Sequence, residues 1–143
     1  MKEITTVQKA KKVLYELSHT YIRKRDSKDK NCIGGNCFDC GKWCEGGQFQ
    51  CGHFIPYSKG VITRYHPHNM HGQFAGCNMK YQQEYVKINY TLKMIKLYSK
   101  DYVDKLKRMS EKTVRVDLFF YLKMIELYKE GDEKKIIKYL ESL

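Results

Sequence analysis

The chain has 143 residues, enough for one domain with a modest core. Lys and Arg outnumber Asp and Glu by 27 to 16, and the net charge of +11 favours a polyanionic partner. No apolar run approaches the ~20 residues that span a bilayer, and Met1-Lys-Glu-Ile-Thr-Thr carries no apolar signal segment, so a cytoplasmic setting is expected.

In a reducing compartment the six cysteines read as metal-binding thiolates rather than disulfides. The twelve tyrosines among basic side chains offer faces for stacking on unpaired bases, although tyrosines at helical spacing also serve as core residues.

In chain order, Val7, Ala10, Val13, Leu14, Leu17, Tyr21 and Ile22 recur at three- and four-residue steps, which predicts an amphipathic helix over residues 5–27. Asp26 to Asn31 breaks the pattern, and Gly34-Gly35 marks a loop. A strand is predicted over Gln48 to Tyr57, entered through Gly46-Gly47 and left through Lys59-Gly60, with a weaker strand over Val61 to Tyr65. From Asn78 to Tyr98 a helix is expected to present Tyr81, Tyr85, Ile88, Leu92, Ile95 and Tyr98 on one stripe. Ser99 and Asp101 open another helix to about Met109; Val114 to Tyr128 reads as an apolar helix, and Glu133 to Leu140 as a short last one. The whole predicts a single α+β domain over residues 1–143. A small zinc-stapled ββα core (32–98) is embedded between the N-terminal helix (5–27) and C-terminal helices (99–143).

Cys37 and Cys40 have the two-residue spacing of a zinc knuckle, Gly41 follows where the chain turns beneath a metal, and Cys77 is the expected third ligand. Phe74 stands where a paired cysteine would precede Cys77. The fourth ligand is therefore open between Cys51, which is preferred, and Cys32; Cys44 is expected to point away.

His53 sits at a strand end beside Gly52, and an imidazole suits the role of general base near neutral pH. Asn78 offers a carboxamide oxygen to a divalent cation such as Mg2+ or Mn2+, and Asn69 could orient the imidazole. Arg64, Lys59, Lys80 and His71 are expected to contact the phosphate backbone; His66 and His68 are assigned to a solvated loop or to phosphate contacts. Together these residues suggest phosphodiester chemistry.

Tyr21 to Ser27, Cys37-x-x-Cys40-Gly, Cys51-Gly-His53-Phe-Ile, Thr63-Arg64, Asn69-x-His71-x-Gln73 and Cys77-Asn78, followed by Tyr90, Leu97-Tyr98 and Val103-Asp104, resemble the NinG/Rap family of phage recombination proteins, within the wider HNH (His-Me finger) endonucleases. That resemblance covers about Lys9 to Leu106. It implies a phage or prophage endonuclease with a ββα-metal fold, cutting branched DNA such as Holliday junctions or D-loops, with His53 as base and Asn78 at the cation. It also implies that Gly52 stands where many HNH enzymes carry a metal-binding Asp, leaving Glu84 as a possible extra ligand. Junction resolvases often act as dimers, and the apolar C-terminal helices offer a surface for a homodimer. The rival reading is a zinc-stapled module that binds branched or single-stranded DNA without cutting it.

Overall fold

The computed structural model describes residues 3–29 and 33–143. Helix α1 (Val7–Asp26) begins where the Thr6 side chain accepts a hydrogen bond from the Lys9 N–H. Ala10, Leu14, Ser18 and Ile22 make its buried stripe at strict four-residue steps, while Val7 stays exposed. The chain then forms two separate antiparallel hairpins. In the first, β1 (Gly34–Asn36) pairs with β2 (Trp43–Glu45), and the knuckle Cys37–Cys40 is its turn. In the second, β3 (Phe49–His53) pairs with β4 (Met70–Phe74) in the register Cys51↔Gly72.

Sequence patterning anticipates part of this. The strand expected over residues 48–57 stops at His53, and the segment expected as a strand at 61–65 is instead the short helix α2 (Val61–Arg64). Strand β4 is too short and its residues too mixed for periodicity to reveal it. Helix α3 (Ala75–Met79) follows β4 directly and is separated by a turn from α4 (Glu84–Tyr98), so the single helix expected after Asn78 is two. Helices α5 (Lys100–Ser110), α6 (Leu118–Glu130) and α7 (Glu133–Glu141) complete the fold. Asp117 caps α6 by accepting from the Phe120 N–H, which starts that helix four residues later than its apolar run suggests.

Two clusters of buried side chains result. In the larger, α1 packs on α6 and α7 through Leu14, Ile22, Met124, Ile125 and Ile136, and β3 joins through Cys51. In the smaller, Tyr90, Met94, Val103 and Leu106 of α4 and α5 close over Phe54 and Ile55. Helix α4 therefore buries Val86, Tyr90 and Met94, whereas Tyr85, Ile88 and Leu92 of the expected stripe face outward. Burial follows the faces on which α5 and β3 lie, and the apolar pattern of α4 alone does not choose between its two sides.

The end of α1 fastens the second hairpin in place. Arg23 Nε donates to the Phe49 carbonyl (2.7 Å), and Arg25 Nη2 donates to the Met70 carbonyl (2.7 Å). Asp26 pairs with Arg25 (2.8 Å) and accepts from the Gly72 N–H (2.8 Å). Charge-assisted bonds from one helix thus grip both strands, which gives the Arg-Lys-Arg-Asp run a structural purpose.

Candidate metal and catalytic site

The knuckle gathers Cys37, Asp39, Cys40 and Cys77, with one ligand atom of each within 4.8 Å of the others. Gly41 has φ +78°, the left-handed conformation that lets the chain turn back after Cys40, and its N–H donates to the Cys37 carbonyl (2.9 Å). Backbone N–H groups of Cys40, Phe74 and Asp39 point at the Cys37 sulfur and favour its thiolate against burial and the Asp39 carboxyl, which push the thiol well up. Burial and the Cys40 side chain raise the Cys77 thiol to about 12. Asp39 is buried with its Oδ1 2.7 Å from the Cys37 sulfur. A carboxylate enclosed among thiols is costly without a cation, so this set fits a metal such as zinc, which takes thiolate and carboxylate ligands.

The expected fourth ligand is thereby corrected. Cys51 does not join the knuckle; it groups with His19 and His53 instead. Alternation along β3 explains this, because Cys51 shares its face with Phe49 and His53 and joins the core formed by α1 and α6. Cys32 lies outside the described residues. Cys44 is buried on β2 with its sulfur toward the Gly35 carbonyl, apart from the cluster as expected. Phe74 contributes its N–H where a cysteine side chain was missed.

His53 Nε2 lies 2.9 Å from the Arg64 carbonyl oxygen. A carbonyl only accepts, so Nε2 carries the proton and Nδ1 keeps the free lone pair. Burial lowers the imidazole to about 4, which keeps it neutral at physiological pH. His53 lines a cavity of about 390 Å³ together with His19, Cys51, Tyr57 and Asn78. Asn78, on α3, donates through Nδ2 to Gln50 Oε1 (3.0 Å), which leaves its Oδ1 as the acceptor. The fold therefore brings His53 and Asn78 to one cavity.

Several other expectations do not survive. Asn69 is fully buried and does not hold His53: Oδ1 accepts from the Ile55 N–H (2.8 Å), and Nδ2 donates to the Ile55 and Thr63 carbonyls. It pins the loop between β3 and β4, and the Arg64 carbonyl orients the imidazole in its place. His71 is not a phosphate contact. It is buried, stacks on Phe38, and bridges the Tyr90 and Tyr98 hydroxyls at 3.1 and 2.8 Å. Because the Tyr90 hydroxyl donates to the Gly52 carbonyl, the His71 Nδ1–H donates to Tyr90 and Nε2 accepts from Tyr98. His66 is also buried, and His68 contacts Tyr102 and Glu133 rather than open solvent. Glu84 opens α4 at an exposed position and does not line the cavity.

Gly52 has no room for a side chain. A Cβ there would meet Gln73 Oε1 at 1.9 Å, on the sheet face away from Cys51 and His53. The site thus has no carboxylate at this position, and none fits without rearrangement.

Lys59 and Lys80 are exposed. Lys59 lines a second cavity, of about 440 Å³, with Lys87 and Lys107. Arg64 Nε donates to the Tyr57 carbonyl (2.8 Å), and its guanidinium lies 4.5 Å from the centre of the Tyr57 ring. Residues that sequence reasoning passed over include Asp39 and His19. Asp39 was legible as an acid inside Cys-x-Asp-Cys. His19 carried no local signal, since only the docking of α1 beside β3 brings it to His53.

Residues 2–138 match the family described as Bacteriophage Lambda NinG protein, and the chain belongs to that family. No curated protein and no solved structure matches it. No helix among the described residues is long and apolar enough to cross a membrane.

Proposed function

We propose that this protein is a metal-dependent DNA endonuclease of the HNH type that acts on branched recombination intermediates in the host cytoplasm. The observation that carries the reading is the fixed tautomer of His53, which leaves Nδ1 unprotonated on a residue that lines one cavity with Asn78. β3, β4 and α3 make two antiparallel strands and a helix in chain order, with α2 in the connection between the strands, and this order suits a ββα-metal unit.

In this reading His53 Nδ1 takes the proton of the attacking water. Burial keeps the imidazole free of a proton beforehand, and the Arg64 carbonyl accepts from the Nε2–H as positive charge builds on the ring. Asn78 Oδ1 is the side-chain oxygen of this cavity that would hold a hard cation. A bound Mg2+ or Mn2+ supplies positive charge against the developing phosphorane and the leaving oxygen. Lys59 and Lys80 hold the backbone on either side. A homodimer would let two strands be cut in one encounter.

Gly52 favours the rival reading, a module that binds branched DNA without cutting, because Gln73 fills the space of the usual carboxylate. Cleavage of a four-way junction against the matching duplex, in Mn2+ with and without EDTA, separates the two. EDTA-sensitive cutting of the junction supports the nuclease; tight junction binding without a cut supports the module.

A further inference from the structure

His19, Cys51 and His53 form a second group of metal-ligating atoms, separate from the knuckle and all within 4.8 Å of one another. They come from two elements, α1 and β3, and the two imidazole rings lie with centroids 5.6 Å apart. His19 Nε2 is enclosed and has no hydrogen-bond partner among the described residues, an arrangement that wastes a buried polar atom unless something binds it. The other two donors both lie on β3. The Arg64 carbonyl accepts from His53 Nε2–H and leaves Nδ1 its lone pair, the outer-sphere arrangement that orients metal-binding histidines. Cys51 is buried between them at the wall of the cavity.

Two imidazoles and a thiolate are poor partners for Mg2+ and good ones for zinc-class ions. Small rotations of the rings bring such donors to the ~3.5 Å separations that tetrahedral zinc geometry demands. We propose that His19, Cys51 and His53 bind a thiophilic divalent cation, and that its binding stops cleavage by occupying the lone pair of His53. Each ion displaces the Cys51 thiol proton to solvent and forms one sulfur–metal bond. The metal site stands on geometry alone; the inhibition rests on the nuclease reading above.

Co2+ is the probe, added to protein whose knuckle already carries one zinc, with zinc retention measured alongside. The wild type should take up one Co2+ per chain with a thiolate-to-cobalt absorption band. Cys51→Ser should abolish the band, and His19→Ala should weaken uptake at least ~10-fold. His19 is only half-buried, so its truncation carries the test should Cys51→Ser fail to fold. Absence of the band in wild type, or Co2+ uptake unchanged by His19→Ala, overturns the site. In nicking assays with Mn2+, added Zn2+ should inhibit wild type, and His19→Ala should need ~10-fold more Zn2+ for the same fractional loss. Co2+ uptake by a protein that never cuts DNA would sustain the metal site and sink the nuclease; efficient cutting with no Co2+ uptake would do the reverse.

Discussion

The backbone carbonyl of Arg64 accepts a hydrogen bond from His53 Nε2 at 2.9 Å, and this contact decides which nitrogen of the imidazole can act. It spans β3 and α2, so the tautomer depends on the loop that Asn69 pins from inside. With the half-buried ring lowered to about 4 by desolvation, the base form is complete well below neutrality. Cleavage should therefore rise as pH rises through about 4 and stay flat from about pH 6 to 8. A rate still climbing tenfold between pH 6 and 7 would mean that His53 titrates like an exposed imidazole.

The knuckle yields a prediction about ligands. Zinc content should be about one per chain, or two where the His19 site is also filled. Cys37→Ser, Cys40→Ser and Cys77→Ser should each lose the knuckle zinc and fold poorly, because such a metal contributes ~10 kcal/mol of folding free energy. Asp39→Asn should weaken retention against a chelator, whereas Cys44→Ser should leave it intact. Knuckle zinc that survives Asp39→Ala unchanged would remove Asp39 from the set.

The buried histidines set a direction for acid stability. Unfolded imidazoles protonate near ~6.5. In the folded protein burial lowers His66 to about 4 and His71 well below its usual range. The unfolded chain thus binds more protons between these values, so stability should fall as pH drops from ~6.5 toward 4, by about 1 kcal/mol per pH unit for each such histidine. Urea midpoints against pH measure this, and His71→Gln should flatten the slope. A midpoint indifferent to pH over that range would contradict the burial of these rings.

Gly52 tests whether the site tolerates the carboxylate it lacks. Gly52→Ala and Gly52→Asp should destabilise by about 1–3 kcal/mol, since the new side chain meets the buried Gln73 amide. Gly52→Asp should not raise cleavage, because position 52 faces away from His53. A more active and equally stable Gly52→Asp would reverse that assignment.

Much of this architecture was legible in the chain. The four-residue stripe of α1, the Ser99 cap, Gly131-Asp132 between α6 and α7, and the knuckle spacing all carry local signals that the structure honours. What was hidden depended on distant packing. β4 is defined by its partner β3, and the burial of His66 and His71 by aromatic side chains of α4 and α5. Asn69 shows the limit well: an asparagine close in sequence to the expected base looked like an orienting residue, yet its amide is consumed by two backbone segments of the same loop. The exchange of Cys51 for Asp39 has a similar origin, because strand alternation assigns a face only once the partner of each face is known.

His53→Ala offers the most direct measurement of the central claim, read as nicking of supercoiled plasmid in Mn2+ beside zinc content and junction affinity. The variant should keep its knuckle zinc and its affinity while nicking falls by ~10²–10⁴-fold. A folded, zinc-loaded His53→Ala protein that nicks DNA as fast as wild type would contradict it.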